Sequence, residues 1–187
     1  NGLKEKTTNN LGNFWNYLVK STTRLLLPLS IIVAIILSFN GTPTSYDGKD
    51  NIVTLQGDSV QVSRGPAAGM IAIKQIGTNG GGWFGANSAH PFENPNYITN
   101  AVEAISILLI PIALVFALGF YINRRKLANV IFGVMTFLFV IFCAINIYYE
   151  TKGNPAIDKL GVAQNVGSMK GKEVRLGAAA TGFWSVA

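Results

Sequence analysis

Two apolar runs, Ile98 to Ile122 and Leu127 to Tyr149, constrain this chain more than any other feature. Each is long enough to cross a bilayer with some tilt, since a spanning helix needs about 20 apolar residues. Inside hydrocarbon every backbone amide and carbonyl must find its partner within the protein, so such runs become helices. A third run, Leu25 to Phe39, reaches spanning length only if the polar residues Ser21 to Arg24 are recruited at its start. Composition agrees: 49% of the 187 residues are hydrophobic, 13% are charged and mean hydropathy is +0.34, too apolar for an ordinary soluble domain. The expected fold is an all-α membrane protein with the lipid bilayer as its solvent.

Between Leu25–Phe39, the first span in chain order, and Ile98–Ile122, the second, lies Pro66 to Gly77, PAAGMIAIKQIG. A helix of that length is about 18 Å long, well short of the roughly 30 Å hydrocarbon core. Pro66 at a first helical position and Gly77 past the last turn are start and stop signals, so the segment reads as a half-helix. Charge placement bears on its topology. Lys4, Lys6, Lys20 and Arg24 precede the first span, and Arg124, Arg125 and Lys126 fill the link between the second and third. Short basic loops stay cytoplasmic, and both regions share one side only if the chain crosses an even number of times between them. Two spans plus one re-entrant half-helix, dipping in from outside, meet that condition. The longer loop Glu150 to Arg175 also holds several lysines, but long loops follow the rule less strictly.

The net charge of +6 does not point to nucleic acid, because the basic residues flank apolar spans instead of forming a stripe with stacking aromatics. Cys143 is the only cysteine and sits in an apolar run, where it reads as a small buried hydrophobe. A weak internal repeat is visible. Shifting the sequence by about 111 residues places Arg64 on Arg175 and Pro66-Ala67-Ala68 on Gly177-Ala178-Ala179, and it repeats the order of span, polar loop and short Ala/Gly-rich segment. With Asn1 in place of a starting Met and Ala187 inside an apolar run, the chain reads as a piece of something longer.

The half-helix runs into GTNGGGWFGANSAHPFENP, Gly77 to Pro95. Glycine reaches positive φ cheaply and lets backbone approach a bound group closely. Irregular backbone at membrane depth is tolerated only where it is buried in protein or lines a watery path. Potassium-selective filters use this arrangement, with backbone carbonyls replacing the hydration shell, and the half-helix would aim the negative end of its dipole at a cation. A Walker phosphate loop requires a Lys after the glycines, which is missing, and no βαβ alternation supports a Rossmann turn. A purely structural glycine turn explains the run equally well on these grounds.

GTNGGGWFGANSAHPFENP resembles the signature of the potassium-transporting ATPase A subunit family (KdpA), the channel-like subunit of the bacterial Kdp pump. The flanking spans and Gly171-Lys172-Glu173 are also similar to that family. The resemblance implies four span, pore-helix, span repeats around one pore, of which this chain covers the second and the start of the third. It implies a cytoplasmic lead-in over 1–20, a complete repeat over 21–122 with the filter at 78–82, and an incomplete repeat over 123–187. That last part comprises span 127–149, outer loop 150–175 and the start of a pore helix at 176–187. The filter strand maps onto Thr78, Asn79, Gly80 and Gly81, whose backbone carbonyls would bind a potassium ion, with Gly80 most closely tied to ion selection. A catalytic P-type ATPase subunit and small accessory membrane subunits are the implied partners, in a bacterial plasma membrane. ATP hydrolysis would belong to the P-type subunit. A channel or symporter subunit of the same superfamily, or a membrane scaffold segment, are the alternatives.

Other residues carry weaker signals. His90, the only histidine, makes a poor metal site alone and is expected to stabilise its loop. Glu93 suits either an outer mouth that draws cations or a cap on the next helix. Glu103, one turn into its span, is expected at the interface. Lys74 either competes with cations or pairs with a carboxylate elsewhere in a complex. Asp158-Lys159-Leu160-Gly161 approaches the DKTG phosphorylation sequence of P-type pumps, but Leu replaces Thr and we assign it no role. Asn40-Gly41-Thr42 matches a glycosylation sequon, which means little if the source is bacterial, as the resemblance implies.

Overall fold

The structure is a computed structural model that describes residues 12–78, 82–85 and 88–187. Its helices are α1 (Phe14–Ser21), α2 (Leu27–Phe39), α3 (Ala67–Ile76), α4 (Tyr97–Tyr121), α5 (Arg125–Lys152), α6 (Pro155–Asp158) and α7 (Gly177–Trp184). Strands β1 (Lys49–Val53) and β2 (Ser59–Ser63) form an antiparallel hairpin. The fold class is mostly helical, as expected, and the hairpin is an addition. It divides into two compact units at Ile110 and Pro111.

Among the described residues, three helical stretches are long and apolar enough to cross a membrane: Phe14–Phe39, Tyr97–Tyr121, and the one beginning at Arg125. The first is longer than the apolar run suggested, because α1 and α2 join through a π-helical turn at Thr22–Leu26 that recruits the polar residues. Pro28 explains that turn. It has no N–H to give to the carbonyl four residues back, and the helix widens so that Leu27 donates to Thr22 instead.

In the first unit α3 packs along α2. Ala67, Ala68, Ile71, Ala72 and Ile76 of α3 bury against Val33 and Leu37 of α2, and the alanines let the two backbones come close. At 10 residues α3 cannot cross hydrocarbon. The chain leaves α2 and rejoins α4 at one place. Asn96 Nδ2 donates to the Asn40 carbonyl at 2.9 Å, and Thr42 Oγ1 donates to the Glu93 carbonyl at 3.4 Å. Asn96 also caps α4, its Oδ1 accepting from the amides of Ile98 at 2.9 Å and Thr99 at 3.0 Å. Asn40 Nδ2 turns back onto the Ile36 carbonyl at 2.8 Å, so the sequon is a helix-end device.

Within the second unit Phe116 and Phe132 pack with ring centroids 5.1 Å apart, and Gly119 faces Ala128 closely enough that an added Cβ would lie 2.3 Å from the Ala128 Cβ. The short helix α7 packs back onto α5 much as α3 packs onto α2. Asn146, a polar residue inside the apolar α5, donates from Nδ2 to the Gly182 carbonyl at 2.8 Å, and Phe139 meets Phe183 edge-on at 5.8 Å. Lys172 pairs with Glu150 at 2.8 Å across the loop between these helices.

Candidate functional site

Helix α3 ends where its sequence signals place it. The Gly77 amide bonds the Ile73 carbonyl at 2.9 Å, and the Thr78 amide bonds the Gln75 carbonyl at 3.2 Å. Thr78 then takes φ +54°, a left-handed conformation that is unusual for a β-branched residue. It is exposed, and its hydroxyl donates to the Gly77 carbonyl at 2.7 Å. Of the four residues expected to form the ion strand, the structure describes Thr78; Asn79, Gly80 and Gly81 lie outside the described residues. The carbonyl end of α3, the negative end of its dipole, leads directly into Gly77 and Thr78.

The chain after the glycines folds back on α3. Gly82 lies so close to its neighbours that an added Cβ would sit 1.8 Å from the Gly85 carbonyl oxygen and 3.0 Å from Glu93 Oε1. The Trp83 ring covers Gly65, just ahead of the half-helix, at a spacing that leaves no room for a side chain. Phe84 stacks on His90 with centroids 4.2 Å apart and planes 9° from parallel, and Phe92 leans on both. His90 Nδ1 accepts from the Phe92 amide at 3.1 Å, so this histidine serves its own loop.

Beneath the loop is a buried polar cluster. Lys74, Gln75, Ser88, Glu93 and Glu103 are each no more than 3% exposed. Lys74 Nζ pairs with Glu93 Oε2 at 2.8 Å and also donates to Ser88 Oγ. The other Glu93 oxygen, Oε1, accepts from the Phe84 amide at 2.8 Å. Gln75 Nε2 donates to Ser88 Oγ at 2.8 Å and to Glu103 Oε2 at 2.7 Å. Burial works against ionisation of Glu93, but the hydrogen bonds from Lys74 and Phe84 outweigh it and hold the carboxyl below its ordinary range. Among the described residues no donor reaches Gln75 Oε1 or Glu103 Oε1.

Three sequence expectations change here. Glu93 is neither an open mouth nor a helix cap, because it is fully buried and the cap is Asn96. Glu103 is not exposed: it is buried within the protein, with Gln75 of α3 bonded to it. Lys74 finds its carboxylate within the same chain. Lys74 is the one charged residue of the half-helix and calls for a buried acid, and Glu93 is the first acidic residue downstream, so the pairing had a sequence signal. Among the described residues no group of three His, Cys, Asp or Glu is placed to hold a metal ion.

The sequence model described as KdpA, potassium-transporting ATPase A subunit, matches residues 1–187. The chain belongs to this family. It is similar to curated proteins named potassium-transporting ATPase potassium-binding subunit. In Flavobacterium johnsoniae the identity is 63% over 185 residues, covering 99% of this chain and 32% of the relative. In Bacteroides thetaiotaomicron it is 60% over 181 residues, covering 97% and 32%. In Pseudomonas syringae pv. tomato it is 44% over 186 residues, covering 100% and 33%. The chain thus spans about a third of the length of the relatives it matches. KdpA membership and three apolar helices of spanning length make it part of a multi-pass plasma-membrane protein.

Proposed function

We propose that residues 78–81 form one strand of a potassium filter in the potassium-binding subunit of an ATP-driven uptake pump. Thr78, Asn79, Gly80 and Gly81 would present backbone carbonyls to the ion in place of water, joined by equivalent strands from other repeats. The observation that carries this reading is the hydrogen bond between Asn40 and Asn96. It brings the end of α2 and the start of α4 to one level, so the chain between them makes no net crossing. A short helix buried on α2 and followed by glycines is then a re-entrant excursion, and irregular backbone at that depth belongs beside a water-filled path. The Kdp-type relatives supply the ion and the pump.

On this reading residues 1–20 lead in from the cytoplasm and 21–122 form a complete span, pore-helix, span repeat. Residues 123–187 open the next repeat, with α7 packed on α5 as the counterpart of α3 on α2. The partners are a catalytic P-type ATPase subunit, which hydrolyses ATP, and small accessory membrane subunits of the complex.

The test is Gly80→Asp in the complete subunit within the assembled pump. A side chain at that position crowds the path, so the expected outcome is weaker potassium affinity and poorer discrimination against sodium. Unchanged affinity and discrimination would remove the filter assignment. Failure of the variant to assemble with its partners, with selectivity intact in what does assemble, would favour a scaffold.

A further inference from the structure

We infer that the buried pair Lys74–Glu93, with Ser88 and Gln75, positions the ion strand, so that side chains which never touch the ion set the spacing of the carbonyls that do. This rests on the reading of residues 78–81 as a filter strand. Glycine-rich backbone has wide conformational freedom, and its geometry must be imposed from the flanks. Upstream, Lys74 and Gln75 occupy the last turn of α3. Downstream, Phe84, Ser88 and Glu93 follow the glycines. Glu93 ties the two sides together with separate oxygens, Oε2 on Lys74 Nζ and Oε1 on the Phe84 amide, both at 2.8 Å. Ser88 forms a second tie, accepting from Lys74 and from Gln75, which is itself anchored to Glu103 of α4 at 2.7 Å.

Two further observations favour positioning over simple stabilisation. Thr78 and Ser88 flank the glycines and both hold left-handed conformations, φ +54° and +46°. Such conformations in residues other than glycine persist only when the surroundings over-determine them. The carboxylate also abuts the end of the glycine run, since a Cβ on Gly82 would come within 3.0 Å of Glu93 Oε1. Stability alone would be served as well by an apolar pair of similar volume.

The experiment uses the complete subunit in the assembled pump and measures potassium-stimulated ATPase activity against potassium, rubidium and sodium. The double variant Lys74→Met/Glu93→Gln removes both charges of the pair together, and Lys74→Arg keeps the charge-assisted bond. The double variant is expected to raise KM for potassium about tenfold, the size of one lost charge-assisted hydrogen bond, and to weaken discrimination against sodium in proportion. Its kcat at saturating potassium should change little, and Lys74→Arg should keep most of the discrimination. Wild-type KM and wild-type discrimination in the assembled double variant would overturn the inference. So would failure of this charge-neutral variant to assemble, which would make the pair structural only. Gly80→Asp in the same assay separates the two levels. If Gly80→Asp alters selectivity and the double variant does not, positioning fails and the filter stands; if Gly80→Asp is silent, the filter reading itself fails.

Discussion

Gln75 donates to Glu103 across 2.7 Å, joining the last turn of α3 to the early turns of α4 at a place that water does not reach. Glu103 is held through an amide and not through a cation of its own. Its carboxyl therefore contributes little that an uncharged amide acceptor would not. Glu103→Gln should leave the thermal unfolding midpoint of the purified complex unchanged or slightly raised. Glu103→Ala should lower stability by about 1–3 kcal/mol, because it leaves a cavity and a poorly partnered Gln75. Equal loss in both variants would show that the carboxyl itself is needed.

Lys74→Met alone should be more damaging than the paired change at Lys74 and Glu93. Removing one partner of a buried ion pair leaves an uncompensated charge and costs about 3–5 kcal/mol, whereas removing both avoids that penalty. Yield of assembled complex and its melting temperature report the difference, and the single variant should rank lowest.

Gly82→Ala should abolish potassium-dependent growth at limiting potassium while the polypeptide still reaches the membrane. The added Cβ would meet the Gly85 carbonyl at 1.8 Å, and that neighbour is backbone, which cannot swing aside. Normal growth would mean that the loop from Gly82 to Gly85 relaxes more easily than its packing indicates.

Asn146→Leu should loosen α7 from α5 by removing the bond from Nδ2 to the Gly182 carbonyl, 2.8 Å long. Such interhelical bonds inside membranes are worth about 0.6 kcal/mol and up to about 1.7 kcal/mol. Hydrogen exchange at the amides around Gly182 should accelerate accordingly, while exchange in α3 stays as it was.

Much of this arrangement was legible in the sequence because it depends on local signals. Pro66 and Gly77 bracket the observed α3, Ala67–Ile76, and the two later spans fall within a few residues of their apolar runs. What escaped depends on contacts between distant residues. Glu103 looked interfacial because depth was counted along its own helix, without the half-helix whose Gln75 bonds to it. Glu93 and Lys74 meet only because the loop after the glycines returns to its starting helix. The first span needs Ser21 to Arg24 to reach spanning length, and the structure recruits them through a widened turn at Thr22–Leu26 that no local signal announces. The hairpin Lys49–Val53 and Ser59–Ser63 was missed inside a polar loop, although IVTLQGDSVQV alternates around a glycine at φ +93°.

The bond between Asn96 and Asn40 closes a ring of chain whose ends lie 56 positions apart. Lengthening such a ring is inexpensive, since each doubling of a flexible loop costs only about 0.6 kcal/mol in closure entropy. Insertions at the exposed turn around Leu55 can therefore grow or shrink without shifting where α4 begins. That turn is a natural port for an epitope or fluorophore, a handle on the loop that leaves the glycines and the helices beneath them undisturbed.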